Sequence, residues 1–231
     1  MKGRTILVTG GSRGLGRQIV ERLAAENTVI AISRSGEGVT ADSVVNLPCD
    51  LTDPAGLAAC VDEACRRWPE INVLINNAAV LASRPIVMMS DADIMHQVET
   101  NLLAPMLLTK RVLRTMMRRR WGRIVNIVSM SAKLCKPGDS VYAATKAGLE
   151  VFGKIVNVEA HSYGVTVNNL AISASPSGML EQIVHDNSDK IRTLIPHGRL
   201  ADLDGIMAGI EFFCAEGSAD IGGQTVFLGG V

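Results

Sequence analysis

Arg4-Thr-Ile-Leu-Val-Thr-Gly-Gly-Ser-Arg-Gly-Leu-Gly16 is the stretch on which the fold turns. Arg4 to Thr9 is short, apolar and β-branched, the composition of a buried strand. It runs straight into Gly10-Gly-Ser-Arg-Gly-Leu-Gly16, after which Leu15, Ile19, Val20, Leu23 and Ala24 recur at helical spacing. A glycine motif carries meaning when a strand precedes it and a helix follows. Gly10 then permits a tight turn, Gly14 lets the backbone approach a phosphate, and Gly16 lets the helix pack closely. The helix N-terminus offers free N–H groups and the positive end of its dipole to a pyrophosphate. The spacing, Thr-Gly-x-x-x-Gly-x-Gly, departs from the common Gly-x-Gly-x-x-Gly form.

Working outward, apolar runs alternate with helical patterns. After the first strand, Thr28–Ser33, Ser43–Pro48, Ile71–Ile75, Arg123–Val128, Val165–Leu170 and Gln224–Leu228 read as six more. Runs apolar throughout suit a parallel sheet covered on both faces, and right-handed crossovers wind it doubly. The expected fold is therefore α/β, a doubly wound, seven-stranded, mostly parallel sheet. No linker, repeat or low-complexity segment interrupts it, so residues 1–231 read as one domain. Ligands on such sheets bind beyond the carboxyl ends of the strands.

The composition, 47% hydrophobic and 3% aromatic, describes a core of aliphatics and alanine. Lys and Arg total 23 against 23 Asp and Glu, which gives no basis for a nucleic-acid partner. No apolar run approaches the ~20 residues of a membrane span. The cysteines at 49, 60, 65, 135 and 214 and the histidines at 96, 161, 185 and 197 show no metal-ligand spacing. The odd cysteine count and the lack of a secretion signal point to reduced thiols in the cytoplasm.

Tyr142 and Lys146, in Ser140-Val-Tyr-Ala-Ala-Thr-Lys-Ala-Gly-Leu149, lie one helical turn apart. A free phenol titrates near 10. An adjacent ammonium lowers that value and suits the pair to proton transfer at a carbonyl or alcohol oxygen. Ser129, or its rival Ser131, offers a hydroxyl to fix that oxygen. At the end of the second strand, Ile32-Ser-Arg-Ser35 lacks the acid that usually holds a ribose 2′-hydroxyl. Arg34 stands there and Arg13 lies in the glycine loop, and two guanidinium groups suit a 2′-phosphate. NADPH is therefore expected over NADH.

These motifs together resemble the short-chain dehydrogenase/reductase family over nearly the whole chain. Thr9–Gly16 resembles its cofactor loop. Asp50 in Cys49-Asp-Leu-Thr-Asp53 resembles its adenine-holding acid, and Asn76-Asn-Ala-Ala79 its Asn-Asn-Ala-Gly element. Asn101 falls where the family places a catalytic asparagine, and Ser129 precedes Tyr142 by the family's separation. The resemblance implies cofactor contacts from Thr9, Gly10, Ser12, Arg13, Gly14, Leu15, Gly16, Arg34, Asp50, Leu51, Asn77 and Ala78, with Tyr142 and Lys146. It implies catalysis by Ser129, Tyr142, Lys146 and Asn101, the last holding a water between Lys146 and solvent. It also implies a homodimer or homotetramer, built partly on the helix beginning near Asp91 and the one carrying Tyr142.

Two departures stand out. Ile172-Ser173 replaces the usual Pro-Gly after the sixth strand, and the chain stops at Gly229-Gly-Val231, short of the family's usual tail. A lid is expected over about 173–198, its apolar side formed by Met179, Leu180, Ile183, Ile191 and Leu194. The likeness is to 3-oxoacyl-carrier-protein reductases, which implies a carrier-bound ketone as substrate. The basic run Arg118-Arg-Arg-Trp-Gly-Arg123 either attracts an acidic carrier protein or is a solvated helix end. A tailoring reductase or alcohol dehydrogenase for a small ketone remains an alternative. So does a weakly catalytic NADP-binding sensor or partner protein.

Overall fold

A computed structural model describes residues 1–173, 198 and 200–229. Seven strands form one sheet in the order β3-β2-β1-β4-β5-β6-β7. They are β1 (Thr5–Thr9), β2 (Thr28–Ser33), β3 (Val44–Pro48), β4 (Ile71–Asn76), β5 (Gly122–Ser129), β6 (Val165–Ile172) and β7 (Thr225–Leu228). Every pairing is parallel, so the sheet is parallel throughout rather than mostly so. The order reverses between β1 and β4, and the crevice at such a reversal is where doubly wound sheets take their ligands.

Alternate side chains of each strand supply two cores. Ile6, Val8, Val29, Ala31, Val73 and Ile75 pack on one face with α1 (Gly14–Ala24), through Ile19, Val20 and Leu23. Leu7, Ile30, Leu74 and Ile124 pack on the other with α2 (Pro54–Arg67), through Leu57, Val61 and Ala64. Side-chain caps open α2 and the helix Asp91–Val98. Asp53 accepts from the Ala55 N–H at 3.0 Å and Pro54 occupies the first turn of α2. Ser90 accepts from the Asp93 N–H at 3.1 Å at the start of α3 (Asp91–Val98).

After α3 a π turn (Glu99–Leu103) inserts before α4 (Ala104–Arg119). A short α5 (Ser131–Leu134) and the long α6 (Ser140–Ala160) follow β5. The helix Leu203–Cys214, α7 here, joins α1 on the first face through Ile206, Met207 and Ile210. The expected lid over 173–198, with its five apolar residues and His185 and His197, lies almost wholly outside the described residues. Ser173 and Gly198, at its ends, are described.

The strands are not apolar throughout. Asn76, Asn126, Asn169 and Thr225 are register partners across β4, β5, β6 and β7. Asn76 Nδ2 donates to Asn126 Oδ1 at 2.8 Å, and Asn126 Nδ2 donates to Asn169 Oδ1 at 3.0 Å. Asn169 Nδ2 reaches the Glu150 carbonyl of α6 at 3.2 Å. All three asparagines are buried. Buried amides are tolerated when they satisfy one another, and the row does so except at Asn76 Oδ1, which is buried without a partner among the described residues. Gly153 of α6 makes the room, because a Cβ there would stand 2.6 Å from both Asn126 Nδ2 and Asn169 Oδ1.

Candidate active site

The carboxyl end of β1 turns through Gly10, which lies in the left-handed region at φ +74°, and Gly14 does the same at +54°. The Gly10 and Gly11 N–H groups both donate to the Ile32 carbonyl of β2, at 2.8 and 3.3 Å, so the loop crosses the ends of two strands. At Gly16 a Cβ would meet the Gly10 carbonyl oxygen at 2.1 Å, which is why the helix can sit directly on the turn. The first turn of α1 has no acidic residue and no side-chain cap. Its N–H groups and dipole end are thus left for an anion. Ser12, Arg13, Gly14, Leu15 and Gly16 form that turn, whose chemistry suits an anionic group such as a pyrophosphate.

Thr9 has a supporting position beneath the loop. It is buried, and its Oγ1 accepts from the Asn77 and Ala78 N–H groups at 3.0 Å each, while Asn77 Nδ2 donates to the Thr9 carbonyl at 2.9 Å. These bonds clamp the ends of β1 and β4 together. At the ends of β2 and β3, Arg34 is exposed and Asp50 turns back on Thr52, whose N–H and hydroxyl both donate to Asp50 Oδ1. Those bonds, with the Arg34 charge nearby, hold the Asp50 carboxyl below its ordinary value. Neither Arg13 nor Arg34 makes a salt bridge among the described residues, so both guanidinium groups are open to a ligand.

At the carboxyl end of β5, Ser129 Oγ lies 2.9 Å from Ser131 Oγ and accepts from the Ser131 N–H at 3.1 Å. The two hydroxyls weighed as rivals are therefore one linked pair. Lys146 is buried on α6, and its Nζ donates to the Ile127 carbonyl of β5 at 2.8 Å and lies 5.8 Å from the centre of the Tyr142 ring. Burial pulls its pKa down to about 8. The Tyr142 phenol is pushed up to about 12, chiefly by burial, against a downward pull from the Ser129 hydroxyl and with a further upward push from Asp139. The expectation that Lys146 makes the phenol more acidic is not met in the free chain. The ammonium is held by a carbonyl, and desolvation decides the sign. At neutral pH the resting pair is a protonated phenol beside an ammonium.

Asn101 sits in the π turn, a helical irregularity that often marks functional sites. Its Oδ1 accepts from the Val80 N–H at 2.8 Å and its Nδ2 donates to the Val80 carbonyl at 2.9 Å and to Thr145 Oγ1 at 3.3 Å. Its side chain thus ties the loop after β4 to the helix of Tyr142, and Lys146 is not among its partners. Asp139, which precedes α6, is buried and accepts from the Ser83 hydroxyl at 2.6 Å, tying the same loop to the same helix.

Against known proteins, the family model for short chain dehydrogenases matches residues 4–188. The chain is 34% identical to the 3-oxoacyl-[acyl-carrier-protein] reductase of Escherichia coli K12, over 99% of this chain and 97% of that one. It belongs to the short chain dehydrogenase family.

This short chain dehydrogenase also superposes, with a TM-score of 0.90, on a protein provisionally assigned as an NAD(P) dependent gluconate 5-dehydrogenase from Beutenbergia cavernae with bound NADP. The two are 27% identical over 98% of this chain and 95% of that one. An actinorhodin polyketide ketoreductase variant with NADPH gives 0.88, at 25% identity over the whole of this chain and 98% of that one. As a short chain dehydrogenase the chain is an NAD(P)H-dependent oxidoreductase acting at the CH–OH/C=O level.

Sequence reasoning missed the residues that brace the site. Ser83 and Asp139 stand 56 positions apart, and nothing local links them. The sequence marks Ser173 as a departure from Pro-Gly and as the start of the expected lid, but does not reveal that its hydroxyl accepts from the Ala201 N–H at 3.1 Å. That bond pins the chain where it returns towards α7.

The basic run divides. Arg118, Arg119 and Arg120 are exposed, whereas Arg123 is buried with its guanidinium 4.5 Å from the centre of the Trp121 ring. The run lies at the start of β5, at the opposite end of the strand from Ser129.

Proposed function

We propose that this chain is a carbonyl reductase that uses NADPH, with residues 1–231 as one catalytic unit. The gathering of Ser129, Tyr142 and Lys146 beside an uncapped glycine-loop helix carries the proposal. The glycine loop and the residues at the ends of β1 and β4 would hold a nicotinamide nucleotide, whose chemistry there would be hydride supply to a carbonyl carbon. Tyr142, protonated at neutral pH, gives its proton to the carbonyl oxygen. The linked Ser129 and Ser131 hydroxyls hold that oxygen in place. Lys146 keeps a positive charge one turn away and favours the phenolate left behind. Asn101 positions the helix of Tyr142 through Thr145.

Arg34, with Arg13, holds the 2′-phosphate. Arg34→Ala is expected to weaken NADPH about 10- to 100-fold, the worth of charge-assisted hydrogen bonds, and to leave NADH unchanged. Titration of both nucleotides against both proteins checks this. An equal loss for the two nucleotides overturns the 2′-phosphate assignment.

The substrate we propose is a 3-oxoacyl thioester on a carrier protein, supported by the names of the curated relatives; Arg118, Arg119 and Arg120 are exposed but lie at the far end of β5 from Ser129, so they bear on such a carrier only through long-range attraction. Arg119→Glu with Arg120→Glu is expected to slow reduction of a carrier-bound ketone about tenfold and to spare the same ketone on a short thiol, because surface charge governs encounter. An unchanged carrier-bound rate favours the second reading, a small-ketone tailoring reductase. The likeness to the polyketide ketoreductase supports that reading.

We further propose a homodimer or homotetramer in the cytoplasm. Val151, Ile155 and Val158 on α6 are exposed at 54%, 56% and 79%, an apolar stripe at helical spacing. Among the described residues no helix is long and apolar enough to cross a membrane.

A further inference from the structure

The loop after β4 is sewn to its surroundings at four residues, and none of the ties is local in sequence. Asn101 bonds both the N–H and the carbonyl of Val80, and the Ala82 N–H donates to Gln97 Oε1 at 3.2 Å. The Ser83 hydroxyl donates to Asp139 Oδ1 at 2.6 Å, and the Arg84 N–H donates to the Gly138 carbonyl at 2.9 Å. Asp139 occupies the N-cap of α6, where an aspartate ordinarily accepts from an N–H two or three residues on. Here its side chain caps nothing on its own helix. Asp139 is only 6% exposed, and its carboxylate is turned across to Ser83, with Lys136 Nζ 3.6 Å from Oδ2. Its carbonyl accepts from the Ala143 N–H at 2.7 Å and so starts the helix. Tyr142 lies in that first turn, three residues on.

We propose that Ser83 and Asp139 are positioning residues for the reaction: their bond fixes the first turn of α6, and with it the Tyr142 hydroxyl, against the loop that leaves the β1/β4 crevice. Both act through Tyr142. The loop continues directly from Asn77 and Ala78, which the Thr9 clamp locks to β1. It reaches the start of α6 through Ser83 and Arg84, and a point further along through Asn101 and Thr145. Tyr142 falls between these two attachments. At the start of the helix, the Ser83–Asp139 tie is made by side chains alone, so it can be deleted without touching the backbone.

The proton of Tyr142 must meet an oxygen whose place is set by Ser129 and Ser131 at the end of β5. A shift of the phenol lengthens that transfer and leaves the hydroxyls that bind the oxygen where they are. A displacement of about 1 Å costs a reaction about 100-fold. Ser83 is exposed, so trimming it opens no hole in the core, and the Arg84–Gly138 bond stays in place. The helix start is then loosened rather than released. The tie itself stands on the hydrogen bonds; its effect on turnover rests on the proposed carbonyl-reductase reading.

The test compares Ser83→Ala and Ser83→Thr with the unaltered chain. It uses steady-state reduction of a ketone panel, NADPH titration and hydrogen–deuterium exchange of the peptides covering 80–84 and 139–146. Ser83→Ala is expected to lower kcat about tenfold while KM for the ketone and the NADPH dissociation constant stay as they were, the mark of an interaction that serves the transition state alone. Exchange is expected to quicken in both peptides, because the tie no longer opposes local opening. Ser83→Thr keeps the hydroxyl and is expected to restore both turnover and protection. Unchanged turnover in Ser83→Ala overturns the positioning role. A loss that appears instead in KM or in the NADPH dissociation constant overturns it too, since that is a general loosening of the site. Threonine that fails to restore turnover overturns the assignment to the hydroxyl. An unaltered chain that reduces no ketone overturns the reductase reading and the positioning with it, while exchange still decides whether the tie holds the helix.

Discussion

Tyr142→Phe lowers the turnover number about 10²- to 10⁴-fold and leaves the NADPH dissociation constant where it was, the loss expected when a positioned proton donor is removed. The substitution keeps the ring and its packing and deletes only the hydroxyl. In the free chain burial holds the phenol near 12 and Lys146 near 8, so the phenol still carries its proton when the pH passes neutrality. That suits a donor to a developing alkoxide. Steady-state kinetics with a ketone panel, alongside fluorescence titration of NADPH, separates the readings. Turnover that survives the substitution overturns the acid assignment. A biological output that survives while turnover is lost points to the sensor class instead.

Gly16→Ala is expected to abolish NADPH binding and to lower the melting temperature by several degrees. The added methyl would stand 2.1 Å from the Gly10 carbonyl oxygen, 2.8 Å from the Gly10 carbonyl carbon and 2.5 Å from Asn77 Nδ2. Two of those atoms are backbone. The third is held by its bond to the Thr9 carbonyl. None can yield without parting α1 from the glycine turn or opening the Thr9 clamp. Forcing a methyl into a packed site costs about 1–3 kcal/mol, which in a chain of this size is about 2–4 °C per kcal/mol. Gly217→Ala is the control, since a Cβ there meets nothing within 4 Å. Normal NADPH affinity in Gly16→Ala would mean that the loop does not hold the cofactor as proposed.

The strands were legible because their branched aliphatics are contiguous and their ends are marked by Gly, Asn, Asp and Pro. Boundaries agree within two residues at each end, as Val165–Leu170 against Val165–Ile172 illustrates. Asn101 was placed by resemblance, but its π turn was not foreseen, because one extra residue in a helix leaves the apolar pattern almost unchanged. Tyr142 and Lys146 lie one turn apart on α6, as their spacing implies, while the burial that raises the phenol pKa is not visible in that spacing. Spacing does not reveal that the ammonium is held by the Ile127 carbonyl, or that burial outweighs charge. The Ser83–Asp139 and Ser173–Ala201 ties join distant positions, so only the folded chain displays them.

The row of amides through Asn76, Asn126 and Asn169 also bears on how the sheet assembles. Strand side chains alternate between faces, so a slip of one residue in β5 or β6 would turn these amides towards hydrocarbon on the opposite face. Each would then lose its partners, at about 1–3 kcal/mol apiece. Branched aliphatics tolerate a misaligned neighbour far better than amides do. The row therefore acts as a proofreading key, and parallel strands delivered by long crossovers can close correctly in one alignment alone.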